Sequence, residues 1–274
     1  MNVKLICMDM DGTLFADSEQ VPEINQRALR ECEARGIHLA LVSGRGNAYL
    51  VRVAKRLGLN CAIASANGAR IEASPEGPTI FEGVFDPEEG RKLFDFLYGL
   101  NVNFEAYARE YSFVVRADEL PENHRASLMR NVANGDIQAV FDDERAAREA
   151  PGMSYKYVAF TKSDEAVARV RNALDAAGIS HCSSGRHNVE IMPSGVGKGE
   201  AVRKLAEYFG VDISETMAFG DYTNDLSMLS ASGHSVAMEN GVQVLKDIAE
   251  IVAPPNTEGG LGQVICKYVL GENV

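Results

Sequence analysis

Positive charge is scarce in this chain: 27 lysines and arginines stand against 39 acidic residues, a net charge of −12. That balance argues against a protein that binds nucleic acid or anionic membranes without specificity. It leaves room for an anionic ligand, because a few cations and a metal gathered in one cleft can reverse the local field. Long apolar runs are missing as well. No stretch approaches the roughly 20 residues of a membrane helix, and Asp9 and Asp11 interrupt the amino terminus too early for a secretory signal. Paired cysteines are absent too. Cys7, Cys32, Cys61, Cys182 and Cys266 are scattered, odd in number and without C-x-x-C spacing, which speaks against a disulfide framework and a zinc site. They read as reduced thiols, mostly inside apolar stretches, and the expected location is cytoplasmic. There is no internal repeat or low-complexity segment.

What remains is an ordinary globular composition, 46% hydrophobic and 24% charged over 274 residues, long enough for a large core and close to the length where one domain gives way to two. Leu5 to Met8, Ile37 to Val42 and Cys61 to Ser65 are short apolar runs typical of strands buried on both faces. Between them, Leu50, Val53, Ala54 and Leu57 make a helical stripe with Gly58 as its stop, and Ile24, Ala28 and Cys32 make a weaker one ending at Gly36. The alternation resumes late, with Val202, Leu205, Ala206 and Phe209 before Gly210, strands at Thr216 to Gly220, Ser235 to Met238 and Ile251-Val252, and a last helix over Leu261 to Leu270. Such alternation predicts an α/β fold, a Rossmann-like parallel sheet with helices on both faces.

The middle of the chain differs. A helix face of Leu93, Phe96, Leu97 and Leu100 precedes two strand-like runs, Val102 to Tyr107 and Tyr111 to Val115, close enough to form a hairpin through Arg109-Glu110. A polar helix near Pro121 to Asn134, a strand around Ile137 to Phe141, another at Tyr155 to Thr161, a helix marked by Val167, Val170 and Leu174, and strands at His181 to Ser184 and Val189 to Met192 follow. This predicts an inserted α+β module with an antiparallel sheet at 83–186, set into an α/β core of 1–82 and 187–274.

Chemistry-bearing residues cluster at predicted strand ends, where open parallel sheets bind ligands. Asp9 and Asp11 end the first strand, Ser43-Gly44-Arg45 the second, Asn67-Gly68 the third, and Gly220-Asp221-Tyr222-Thr223-Asn224-Asp225 follows Met217 to Phe219. Two acids so close cost stability through repulsion and desolvation. They suit a carboxylate nucleophile beside an acid, with a divalent cation quenching the charge. The plain alternatives are an Asx-turn at Asp11-Gly12, an N-cap role for Ser43 and a helix start favouring Asp221 and Asp225. Lys198, in Gly-Val-Gly-Lys-Gly just before a helix, supplies a cation where free N–H groups already favour an anion. Oxygen ligands from four aspartates select Mg²⁺.

Together these residues resemble the haloacid dehalogenase superfamily of phosphatases, and most closely its Cof-type hydrolases with a large cap. Asp9-Met10-Asp11-Gly12-Thr13-Leu14 is similar to the first motif, Ser43-Gly44-Arg45 to the second, Lys198 to the third, and Gly220-Asp221 with Asn224-Asp225 to the fourth. The order agrees, and only Tyr222 departs in size. By that resemblance Asp9 is the nucleophile forming an aspartyl-phosphate, and Asp11 protonates the leaving oxygen and then activates water. Ser43, Gly44, Lys198 and Asn224 hold the phosphate or position it. Asp9, the Asp11 carbonyl, Asp221 and Asp225 bind Mg²⁺. The implied substrate is a small phosphorylated metabolite, a sugar phosphate or a cofactor such as pyridoxal phosphate or flavin mononucleotide, in a monomer or homodimer. Cap residues Tyr107, Arg109, Tyr111, Arg186 and His187 are candidates for choosing it. The rival readings are a phosphomutase of the phosphomannomutase type and a phosphometabolite-binding regulator with little turnover. A dehalogenase is disfavoured by Asp11.

Overall fold

A computed structural model describes residues 1–17 and 19–272. In chain order its strands are β1 (Leu5–Met8), β2 (His38–Val42), β3 (Ala62–Ser65), β4 (Arg70–Glu72), β5 (Thr79–Glu82), β6 (Asn103–Ala108) and β7 (Tyr111–Val115). They continue with β8 (Gln138–Phe141), β9 (Ser154–Phe160), β10 (Asn188–Ile191), β11 (Thr216–Gly220), β12 (His234–Met238) and β13 (Ile251–Ala253). The residues divide into two compact units, Met1–Glu82 with Val196–Val274, and Gly83–Gly195.

The first unit holds an eight-stranded sheet in the order β13-β12-β11-β1-β2-β3-β4-β5. From β13 to β3 every pairing is parallel, and β4 and β5 add an antiparallel edge. Alternate residues of each inner strand face opposite sides. Ile6 and Met8 of β1 join one apolar cluster with Leu29, Leu50 and Leu261. Leu5 and Cys7 join another with Val202, Leu205, Met228 and Leu245. Helices therefore cover both faces, as strands that are apolar throughout require. Helix Asn47–Leu57 ends at Gly58 and helix Lys198–Phe209 at Gly210, both glycines left-handed, so the apolar stripes and their stops match the sequence reading. The antiparallel β4 and β5 were not expected; at three and four residues they are too short to show a period. The final segment is helical as expected, α-helical over Gly260–Val264 and continuing as a π-helix over Ile265–Leu270.

The second unit carries a five-stranded sheet, β10-β9-β6-β7-β8. The β6–β7 hairpin forms as read, with Tyr107 opposite Ser112. Three expectations change. The outer pair β7–β8 is parallel, because helix Glu122–Ala133 crosses between the two strands and returns the chain in the same direction. His181 to Ser184 makes only a single bridge, Cys182 to Glu190. Ser183 Oγ donates to the Asn188 carbonyl at 2.7 Å and the Ser184 N–H donates to Asn188 Oδ1 at 3.2 Å, so side chains replace the ladder there. The return to the first unit comes at Val196, not 187, since β10 pairs antiparallel with β9 and stays with that sheet.

Phe104 is fully buried in this unit, its ring edge-on to Phe94 at 5.3 Å between centroids. Phe104→Ala is expected to cost about 3–5 kcal/mol. A lowered urea midpoint at unchanged slope would show it, and a negligible shift would remove Phe104 from the core.

Candidate active site

The carboxyl ends of β1, β2, β3 and β11 bring the predicted residues of the first unit together. The Asp9 N–H donates to the Phe219 carbonyl at 3.0 Å, the Ser43 N–H to that of Ala64 at 2.9 Å, and the Asn67 N–H to that of Ser43 at 2.9 Å. Asp9, Ser43 and Asn67 are thus carried on neighbouring strand ends beside the switch point, where β1 lies between β2 and β11. Lys198 is the first residue of its helix, with Gly197 as N-cap.

The Lys198 ammonium donates to Asp9 Oδ1 and to Asp225 Oδ1, each at 2.6 Å, with its side chain fully buried. Burial works against its proton, but Asp225 and Asp9 outweigh that and raise its pKa above the ordinary lysine range. Asp225 Oδ2 accepts the N–H groups of Asp221 and Tyr222 at 3.0 and 3.1 Å. Both its oxygens are therefore occupied by protein, and Asp225 ties Lys198 to the Asp221 turn. Asp221 accepts from Thr13 Oγ1 at 2.8 Å. Carboxylate oxygens of Asp9, Asp221 and Asp225 lie within 4.8 Å of one another. Burial first, then Asp225, pushes Asp221 up to about 7. Asp9 rises well above the carboxylate range through burial and the neighbouring aspartates, against the pull of Lys198. One ammonium does not neutralise three acids, and a hard divalent cation suits this all-oxygen, partly buried donor set.

Asp11 stands apart from that cluster. Its two oxygens accept from Arg45 Nε at 2.7 Å and Arg45 Nη2 at 2.6 Å, a bidentate fork. The guanidinium lies over the Tyr49 ring at 4.4 Å and 3.6 Å from Glu19. Between the acids the backbone makes one wide turn, Met10–Leu14, closed by the Phe15 N–H to the Met10 carbonyl at 2.9 Å. Gly12 sits there at φ +80°, where a Cβ would fall 2.4 Å from Asp221 Oδ2. Glycine is thus required twice, by the dihedral and by the carboxylate. Ser43 is buried, and its Oγ accepts from the Arg45 N–H at 3.3 Å, while Gly46 takes the N-cap position. Gly44 is the partly buried residue between them, and Asn224 is buried on the turn Thr223–Asp225. In the second unit Arg186 Nε and His187 Nε2 both bond Asp164, at 2.9 and 3.0 Å, while Tyr107, Arg109 and Tyr111 lie on or beside the β6–β7 hairpin. Sequence reasoning missed the Arg45–Asp11 fork and the Thr13–Asp221 bond; both residues stood inside quoted motifs, but nothing in the spacing showed their partners.

The raised Asp221 pKa has a definite sign. Between about 4, the unfolded carboxyl value, and the folded value of about 7, the native state holds a proton that the unfolded state has lost. Stability of the metal-free protein through this group therefore falls as pH rises across that window. Comparison of wild type with Asp221→Asn by thermal unfolding checks it. The wild type is expected to lose more stability over the window; parallel curves would contradict the shift.

The family model of haloacid dehalogenase-like hydrolases matches residues 6–265. The chain is 26% identical to the 5-amino-6-(5-phospho-D-ribitylamino)uracil phosphatase YwtE of Bacillus subtilis, over 98% of this chain and 99% of that protein. It is 25% identical to the HMP-PP phosphatase of Cronobacter sakazakii, over 97% and 94% of the two chains. Its fold matches the structure of a haloacid dehalogenase-like hydrolase from B. subtilis with a TM-score of 0.85 at 25% identity, covering 97% of this chain and 100% of that one. Among the described residues no helix is long and apolar enough to cross a membrane. With its motifs in order, its fold matched and nearly its whole length covered, the chain belongs to the haloacid dehalogenase-like hydrolase family and is a phosphatase of the Cof type.

Proposed function

We propose that the chain is a Mg²⁺-dependent phosphomonoesterase that acts on small phosphorylated metabolites through an aspartyl-phosphate on Asp9. The observation that carries this reading is the buried ammonium of Lys198, 2.6 Å from Asp9, beside two further clustered aspartates. Asp9 accepts one bond from Lys198 and stands at the cleft end of its strand, which suits a nucleophile. Asp9, the Asp11 carbonyl and Asp221 would hold Mg²⁺, with Asp225 assisting. When bound, the ion would supply charge compensation for the acids and for the phosphoryl oxygens.

The steps follow from the residues. An Asp9 oxygen attacks phosphorus and the ester P–O bond breaks, with the leaving oxygen taking a proton from Asp11. Asp11 then takes a proton from water, whose oxygen attacks phosphorus, freeing Asp9 and inorganic phosphate. Lys198, Ser43 and the N–H groups around Gly44 would face the phosphoryl oxygens, where charge is spread in the transition state, and Asn224 would help orient them. Both Asp11 oxygens are acceptors in the Arg45 fork, so donation to a leaving group requires the carboxyl to turn out of it. The inserted unit, 83–195, is proposed as the cap that chooses among leaving groups. The relatives' names point to 5-amino-6-(5-phospho-D-ribitylamino)uracil and HMP-PP as the compounds to try first, with other small phosphate esters beside them.

The test is phosphate release from a panel of such compounds with Mg²⁺ and with EDTA. Wild type is expected to turn over only with the metal, and Asp9→Asn to lose at least about 10³-fold in kcat while remaining folded, the scale seen when an activated nucleophile is removed. Undiminished hydrolysis by Asp9→Asn would remove the nucleophile from the scheme.

A further inference from the structure

The turn that carries Asp11 is held from outside by side-chain amides, every donor an asparagine. Asn240 Nδ2 donates to the Gly12 carbonyl at 2.8 Å, and Asn25 Nδ2 to that of Leu14 at 3.2 Å. Asn256 Nδ2 donates to the carbonyls of Phe15 at 2.7 Å and Ala16 at 3.1 Å. The amides are also linked to one another's segments. Asn240 Oδ1 accepts the Asn256 N–H at 2.9 Å, and Asn25 Oδ1 accepts the Gly262 N–H at 2.8 Å. Gly262 lies so close to helix Glu23–Ala34 that a Cβ there would come 2.7 Å from the Asn25 nitrogen.

This arrangement answers a need of the turn itself. Asp11 and Gly12 have non-helical dihedrals, so the carbonyls around them lack the regular ladder that would fix their direction. An asparagine amide supplies two donors and an acceptor on a short stem, enough to grip a carbonyl and be gripped in return. Asn25 and Asn256 are buried, and their bonds are the kind whose loss leaves polar groups unmet.

We infer that Asn25, Asn240 and Asn256 are positioning residues for the phosphoryl-transfer site, a clamp by which the segment from Asn240 to Gly262 sets the direction of the Asp11 carbonyl and the placement of its carboxyl. The inference rests on the reading of Asp11 given above. Partners bonded directly to a metal ligand lower metal affinity or activity by about 10–100-fold when removed; these amides hold the carbonyls that follow Asp11 along the turn, so the lower end of that range applies.

The experiment uses the full chain and Mn²⁺ alone as the probe. Mn²⁺ titration of the metal-free protein, followed by electron paramagnetic resonance, is run on wild type, Asn240→Ala and Asn256→Ala, with thermal unfolding alongside. Asn240 is exposed and gives the turn a single bond, so Asn240→Ala is the variant that keeps the test valid if Asn256→Ala does not fold. The expected result for Asn240→Ala is a Mn²⁺ dissociation constant raised by about tenfold or more, the lower end for lost outer partners, with a melting temperature close to that of wild type. With p-nitrophenyl phosphate, kcat falls while KM changes little. A folded Asn240→Ala protein that binds Mn²⁺ as tightly as wild type overturns the clamp, whatever its activity. Absence of phosphate release by wild type would instead count against the phosphatase reading, and the Mn²⁺ titration would still decide the clamp.

Discussion

One buried ammonium holds the site together. Lys198 reaches from the start of its helix to Asp9 on β1 and to Asp225 beyond β11, at 2.6 Å each. A charge taken out of water costs several kcal/mol unless its partners are close and well aligned. Here two carboxylates meet that cost, and each comes from a different part of the chain. The three segments are therefore locked to one another by the same atoms that the proposed reaction would use. Asp225 extends the lock by accepting the Asp221 and Tyr222 N–H groups. The network that stabilises the end of the sheet is the same one proposed to receive the phosphate.

That network leaves the acids unbalanced. Asp9 and Asp221 are both pushed upward, chiefly by burial, and the proposed divalent cation would offset their charge. Asp11 is treated differently: its carboxyl lies outside the cluster, in the Arg45 fork. Two residues of separation thus yield two environments, because the wide turn at Met10–Leu14, with Gly12 left-handed, swings the chain away from the strand. The proposed roles, a nucleophile at Asp9 and a proton carrier at Asp11, would gain from such a separation of surroundings.

Much of this was legible in the amino-acid order. Strands such as Leu5–Met8 and Thr216–Gly220 announced themselves because burial on both faces demands continuous apolar runs, and helices announced themselves through stripes closed by Gly58 and Gly210. Asp9, Asp11, Ser43, Lys198 and Asp221 were legible because each follows an apolar run or opens a stripe. Shorter or mixed elements were not. β4 and β5 have too few residues to carry a period, and the parallel β7–β8 pair depends on where helix Glu122–Ala133 returns the chain. Thr13 and Arg45 stood inside motifs, without their partners, and nothing in the order of residues pointed to Asn240.

The linear order by itself determined the class of fold, the two-part layout and the identity of the acids and the lysine, since these follow from periodicity and from which residue types end which runs. Only the tertiary structure decided which of those groups touch: that Lys198 bridges Asp9 and Asp225, that Arg45 takes Asp11, and that Asn240 and Asn256 reach back more than 200 residues to Gly12, Phe15 and Ala16. The reason is physical. Local preference acts over a few neighbours along the chain, whereas the direction of a side chain in a cleft is set by the packing of segments that meet only after folding.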